Sequence, residues 1–175
     1  MAGNLEFIHK ETISTTTSSI NVDNIFSADY DVYKITMYRI TTLGTTPTTL
    51  GLRFIDSGGS VISGAEYDFA SLRMSSNLAF TEDKATSTTS IKFIATQDQD
   101  AETMGAVTYI FNPYDSSSYS FLLNQSSGAL SGVMRGSKTI GVHKSAETVR
   151  GINIIDLDGS RPLEEGYIVI YGVKR

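Results

Sequence analysis

The sequence contains no cysteine and no tryptophan, and only three of its 175 residues are proline. A chain without cysteine cannot form a disulfide framework, a thiol nucleophile or a thiolate-ligated zinc or iron–sulfur site. The missing tryptophan removes the aromatic side chain with the largest stacking surface. A single domain of this length buries roughly 70% of its unfolded surface, so it needs no covalent cross-links to be stable.

Basic residues and long apolar runs are also scarce. The chain has 14 Lys and Arg against 19 Asp and Glu, for a net charge of −5, and its basic residues are not clustered. Nucleic acid is therefore not an expected partner. The longest apolar run is Tyr167–Tyr171, far below the roughly 20 residues that cross a bilayer. Residues 1–14 have no basic-then-apolar pattern, so neither membrane insertion nor a signal peptide is predicted.

About a quarter of the chain is Ser or Thr, and Gly, Tyr and Phe are frequent. This composition favours strands and turns over helices. Apolar residues alternate with polar ones, as where Tyr33, Ile35 and Met37 share the face expected to be buried. The sequence predicts an all-β, antiparallel β-sandwich of jelly-roll type with 8–10 strands. The candidate strands are Leu5–Lys10, Ser19–Val22, Asp31–Ile40, Leu50–Asp56, Ile91–Ala95, Ala106–Phe111, Tyr119–Asn124, Lys138–His143, Gly151–Leu157 and Gly166–Val173.

The expected organisation is one β-sandwich domain over residues 16–175, preceded by an arm or edge strand over residues 1–15. Two short segments, Asn24–Ala28 and Tyr67–Met74, are interpreted as helical turns. Neither is long enough to be the crossover helix of a parallel sheet.

No arrangement of residues predicts catalysis, a cofactor or a metal. The only histidines are His9 and His143, and no G-x-S-x-G element accompanies them, so His143 is expected at a surface or interface. The segment Gly132–Thr139 resembles a phosphate loop, but a serine separates its second glycine from the lysine. Acidic pairs are interpreted as solvated loop charge or Asx turns rather than calcium ligands; they are Asp29 with Asp31, Asp98 with Asp100 and Glu102, and Asp156 with Asp158.

The nine tyrosines exceed what the core of such a domain usually needs. They fit a sandwich core whose hydroxyls reach backbone partners, or a subunit interface, or a surface that stacks on glycans. An interface is favoured over glycan binding because tryptophan is missing.

Four segments together resemble a family of small structural proteins of tailed bacteriophages: Ser18–Ile35, Leu50–Ser60, Phe111–Tyr119 and Tyr167–Arg175. The resemblance implies a jelly-roll-like sandwich on the exterior of a virion. Such proteins serve as capsid decoration or cement proteins, or as tail-fibre or receptor-binding components, usually as homotrimers. It implies no catalytic residues, so the chain is not expected to be an enzyme; a polysaccharide-degrading enzyme is a distant alternative.

Capsid decoration is favoured over a fibre because the sequence has no long repetitive shaft. Capsid or tail proteins are then the expected partners, and a glycan or receptor on the host surface is a further possibility. Leu5, Phe7 and Ile8 are the candidate docking residues, because they precede the polar segment Thr12–Ser19. The alternative for this segment is an edge strand of its own domain.

Overall fold

The computed structural model describes residues 4–44, 48–95, 103–130, 132–159 and 161–174. These residues form twelve β-strands, all in antiparallel pairs, and no helix. The predicted all-β, antiparallel fold class is confirmed, but the strands outnumber the predicted 8–10 because β5 and β6 were not among the candidates. Accordingly, no helix in the described ranges could span a membrane. The strands are β1 Leu5–Ile13, β2 Ser19–Val22, β3 Val32–Thr42, β4 Thr49–Asp56, β5 Tyr67–Ser75, β6 Thr81–Thr88, β7 Ile91–Ala95, β8 Met104–Phe111, β9 Ser120–Leu130, β10 Val133–His143, β11 Val149–Asp156 and β12 Leu163–Val173.

The strand order identifies the sandwich as a jelly roll with two insertions. One sheet contains eight strands in the order β1-β12-β3-β8-β9-β10-β5-β6, and the other contains four in the order β2-β11-β4-β7. Without the pairs β5–β6 and β9–β10, two four-stranded sheets remain, ordered β1-β12-β3-β8 and β2-β11-β4-β7. Successive strands then alternate between the sheets, except that β4 and β7 pair with each other within the small sheet, and this is how a jelly roll is wound. We call the two sheets the large sheet and the small sheet.

The two inserted pairs lie side by side and extend the large sheet beyond β8. The insertion of β5 and β6 separates β4 from β7, and that of β9 and β10 separates β8 from β11. The large sheet is therefore twice as wide as the small one. The small sheet covers only one of its faces, and we call the face turned away from it the outer face.

The core lies between the sheets and is built from the faces predicted to be buried. Tyr33, Ile35 and Met37 of β3 are at most 2% exposed, and they face Leu52 and Phe54 of the small sheet in the same buried cluster. Alternation therefore assigned the buried face of the jelly-roll strands correctly.

Tyr67, at the start of β5, joins the inserted strands to the small sheet. Its hydroxyl donates to the carbonyl of Ile62 and accepts from the amide of Phe54, each at 3.0 Å. Burial raises the pKa of this phenol well above its usual value. The ring is fully buried, so β5 begins with an anchor that is both apolar and hydrogen-bonded.

The interpretation of two segments as helical turns is wrong. Tyr67–Met74 lies within β5 and pairs with both β10 and β6. Asn24–Ala28 is irregular, and the amides of Ile25 and Phe26 both donate to the carbonyl of Arg150 on β11. In both segments, hydrogen bonds to distant strands replace the local bonds that a helical turn would need.

The N-terminal segment forms β1, an edge strand of the large sheet paired with β12. The register shifts between Phe7 and His9. Leu5 and Phe7 are 45% and 60% exposed, whereas Ile8 packs against the buried cluster. The irregularity thus separates Ile8 from the two other residues of the candidate docking set.

Candidate interaction surface

The outer face of the large sheet carries apolar and aromatic side chains in rows that cross its strands. Residues directly opposite one another in antiparallel strands project to the same face. The pairing registers therefore define a row across all eight strands: Phe7, Tyr171, Lys34, Tyr109, Leu123, Ile140, Ala70 and Lys84. The adjacent row is Leu5, Val173, Val32, Phe111, Phe121, Val142 and Asp68. Most members of both rows are apolar or aromatic.

Several of these side chains are open to solvent. Ile140 is 59% exposed and Phe121 is 45% exposed, although both lie on central strands of the sheet. An open groove of about 880 Å³ runs between them, along β5, β9 and β10. Soluble monomers rarely expose a continuous apolar surface of this extent, and such surfaces usually mark interaction sites.

One row on the inner face of the same strands is polar, which locally inverts the usual pattern of a sandwich. Thr108, Asn124, Thr139 and Ser71 are successive cross-strand neighbours on β8, β9, β10 and β5. The first three are at most 1% exposed. Asn124 Nδ2 donates to Thr108 Oγ1 at 2.8 Å, and the Thr139 hydroxyl donates to that of Ser71 at 2.8 Å.

In this row the buried side chains are hydroxyls and an amide, whereas the outward-facing ones include the half-buried Leu123 and the exposed Ile140. A shift of one residue along a strand would exchange the two faces. The protein nevertheless keeps its polar row inside and its apolar row outside. Asn124 Nδ2 and the Thr139 hydroxyl make hydrogen bonds there, whereas Asn124 Oδ1 has no partner among the described residues. This arrangement is expected if the outer face becomes buried in an assembly.

Aromatic pairs order the part of the outer face nearest to β1. Tyr38 and Tyr167 stack with ring centroids 5.0 Å apart, and Lys10 Nζ lies 4.2 Å from the centre of the Tyr167 ring. Phe7 meets Tyr171 edge to face at 6.2 Å. These contacts fix the orientation of the rings, so less side-chain entropy is lost when a partner covers them.

The charge of the outer face is opposite in sign to that of the chain. Its four central strands, β3, β8, β9 and β10, project Lys34 and Lys138 outward and no acidic residue among the described positions. Lys10 and Lys84 lie nearer the edges, as do the acidic Glu82 and Asp68, of which Asp68 is ion-paired with Lys144. The chain as a whole carries −5. A complementary partner would therefore present apolar and acidic groups.

Of the three candidate docking residues, Leu5 and Phe7 continue the apolar rows at the β1 edge, and Ile8 does not. The sequence did not single out Phe121 or Ile140. Alternation identifies two faces of a strand, but it does not show that the more apolar one points outward, as it does at Ile140.

His143 is fully buried, so its expected position at the surface or interface is wrong. The ring packs against both Tyr67 and Phe54, at centroid distances of 5.0 and 5.8 Å. Gly132–Thr139 lies mostly within β10, where no helix follows to form a phosphate loop.

The described acidic pairs act within the chain. The carboxylate of Asp156 accepts from the Thr48 hydroxyl at 2.6 Å and from the backbone amides of Asp158 and Arg161. It therefore orders the β11–β12 turn. Asp29 pairs with the hydroxyl of Ser27. The third group, Asp98, Asp100 and Glu102, lies outside the described residues.

Comparison with known proteins yields only distant structural similarities. No family model matches the chain, and no curated protein matches it. A family 7 alginate lyase in complex with its substrate is 7% identical, with a TM-score of 0.25; the match covers 89% of this chain and 65% of the lyase chain. The CBM2 module of the evolved Dit protein of Lactobacillus casei BL23 phage J-1 is 10% identical, also with a TM-score of 0.25, over 94% of this chain and 76% of the module. At these scores neither similarity carries an argument about function.

Proposed function

We propose that this protein is a structural protein on the exterior of a bacteriophage particle, that it decorates the capsid, and that the outer face of the large sheet is its contact surface. The observation that carries the proposal is the inversion on β8–β10, where Ile140 faces solvent while Thr139 is fully buried. The virion context comes from the sequence resemblance. No enzymatic activity is part of the proposal.

The charge pattern favours a particle subunit over a second copy of the chain as the occupant of this face. Two copies docked through the same face would bring Lys34 and Lys138 of each close together, and like charges in a contact cost several kcal/mol. An acidic, apolar surface on another protein would avoid this repulsion. The homotrimer that the resemblance implies would then form through another surface.

The size of the outer face suits one partner. Eight strands spaced at about 4.8 Å span about 34 Å. The two apolar rows and the next outward row, which runs through Lys138, together cover about 20 Å along the strands, giving a projected area of about 700 Å². A standard protein–protein interface buries about 800 Å² on each side. The face is therefore large enough for one stable contact.

The test is co-sedimentation of purified protein with undecorated capsids, together with light scattering of the free protein. Ile140→Glu places a charge in the centre of the face, and we expect it to abolish capsid binding. Leu43→Glu is the matched control, because Leu43 is 49% exposed but follows the end of β3 rather than lying within the rows. The control should bind as the unmodified protein does. Deleting residues 1–12 is a poorer test, since it would remove most of β1 from the sheet.

Capsid binding by the unmodified protein and Leu43→Glu but not by Ile140→Glu would support the proposal. Equal binding by all three would overturn the assigned surface. Adhesion to host cells without capsid binding would overturn capsid decoration in favour of a fibre or receptor-binding role. Self-association that Ile140→Glu abolishes would assign the face to a second copy instead.

A further inference from the structure

The geometry points to a second site, separate from the outer face: a divalent transition-metal site formed by Glu66, His143 and Glu147. Glu66 immediately precedes β5, His143 ends β10, and Glu147 lies two residues before β11. One ligand atom from each residue lies within 4.8 Å of the others. The preferred ion is Zn²⁺, because the donor set combines an imidazole nitrogen with carboxylate oxygens.

The distances fit a tetrahedral ion. His143 Nε2 lies 3.0 Å from a carboxylate oxygen of Glu66 and 3.7 Å from one of Glu147. Donors bound to zinc at about 2.0–2.1 Å in tetrahedral geometry are about 3.3 Å apart. These two separations lie on either side of that value, and the two carboxylate oxygens lie within 4.8 Å of each other, so rotations of the glutamate side chains would bring all three donors to tetrahedral spacing.

The histidine is preorganised for this role. Its side chain is 0% exposed, while those of Glu66 and Glu147 are 43% and 35% exposed. The ring is packed against Tyr67 and Phe54, and its Nε2 edge is directed at the two carboxylates. An ion could therefore enter from solvent and meet a nitrogen ligand whose position is already fixed, leaving a fourth position for water.

The local charge also suits a dication. Two carboxylates and a neutral imidazole balance a charge of +2. Lys144 is adjacent in sequence, but its ammonium lies 2.8 Å from Asp68, and within the described ranges no Lys or Arg is ion-paired with Glu66 or Glu147. The backbone amide of Lys144 instead donates to the carbonyl of Glu66 at 2.8 Å, which holds two of the three segments together.

One feature limits the expected affinity. Zinc-bound histidines usually donate their second N–H to an acceptor, and loss of that partner typically weakens binding about 10- to 100-fold. His143 Nδ1 is buried without a hydrogen-bond partner among the described residues. The site should therefore bind more weakly than a zinc site with a complete outer shell. Bound metal would cross-link the start of β5 and the end of β10 to the segment that precedes β11.

The test is calorimetric titration of the full chain with Zn²⁺ alone, with histidine ring signals followed by NMR. Only two histidines exist, so the ring that responds can be identified. We expect one saturable site per chain and a shift of the His143 signals. Glu66→Gln and Glu147→Gln should each weaken binding by at least about 10-fold, the smallest loss typical of removing even an outer-shell partner. Glu82→Gln, an exposed glutamate on β6, is the matched control and should bind unchanged.

His9 and Glu11 form a second histidine–carboxylate pair that could bind Zn²⁺, because His9 Nε2 lies 3.1 Å from a carboxylate oxygen of Glu11. A variant of His9 therefore tests whether the ion binds there instead. His9→Asn should leave Zn²⁺ binding intact. Loss of binding in His9→Asn would overturn the assignment, as would the lack of a saturable site or unchanged binding in both Glu66→Gln and Glu147→Gln. Because both glutamates are partly exposed, these variants should fold, and their melting curves without metal would verify it.

Discussion

Replacing isoleucine by threonine on opposite faces of the large sheet tests whether the outer face is truly outside the fold. Ile140 on β10 is 59% exposed, and Ile110 on β8 is 0% exposed. Full burial of an isoleucine side chain stabilises a protein by about 1.5–3 kcal/mol. Since less than half of Ile140 is withdrawn from water, Ile140→Thr should cost the isolated chain less than about 1 kcal/mol. Threonine keeps the β-branched shape that suits a strand.

Ile110→Thr should cost about 2–4 kcal/mol, because it removes buried carbon and places a hydroxyl among the apolar side chains of Tyr33 and Leu122. The assay is urea and thermal unfolding of both variants. In a chain of this size each kcal/mol lowers the melting temperature by about 2–4 °C. Equal destabilisation by the two variants would refute the reasoning, because it would mean that the chain itself covers the outer face.

Three further predictions concern the interior and the loops. Thr139→Val should cost about 1 kcal/mol, because it leaves the Ser71 hydroxyl without its donor, and adding Ser71→Ala should recover part of the loss in urea melts. Gly151→Ala should destabilise the protein by about 1–3 kcal/mol, since the added Cβ would lie 2.5 Å from the Val22 carbonyl oxygen. Gly105→Ala should be nearly neutral in the same assay, because the atom nearest to its added Cβ is 3.4 Å away. The hydrogen bond from Arg150 lowers the pKa of Asp23. The stabilisation from that pair is therefore fully present above the ordinary aspartate pKa of about 3.9, and it is lost as pH falls through the lower pKa of the folded state. In Asp23→Asn, the free energy of unfolding should therefore fall less steeply as the pH is lowered below about 4.

The sequence predicted the jelly-roll strands well, because their apolar residues alternate and face one core. The bounds of Ser19–Val22 and Ile91–Ala95 agree with β2 and β7. The inserted strands were harder to predict from the sequence. In β5, Leu72 and Met74 are exposed on one face while Tyr67 and Phe69 are buried on the other, so no single apolar face appears.

Strand β6 was not predicted because it is mostly polar, and its only apolar residue is Ala85. The candidate metal site could not be predicted, since Glu66 is far in sequence from His143 and Glu147. Only the pairing of β5 with β10 brings these residues together. The outer face was missed for a different reason: the sequence shows that a strand has two faces, but the inward direction is set by the partner sheet.

The position of β12 between β1 and β3 has a consequence for how the chain acquires its structure during synthesis. Neither β1 nor β3 can pair with β12 until residues 163–173 have been made. Likewise, β2 and β4 cannot pair with β11 until residues 149–156 have been made. Such long-range pairings slow folding, and unpaired strand edges are prone to aggregate while they wait. A nascent chain that stalls before residue 149 would leave the open edges of both sheets available to neighbouring chains, so fast synthesis of the last two strands should improve the yield of folded protein.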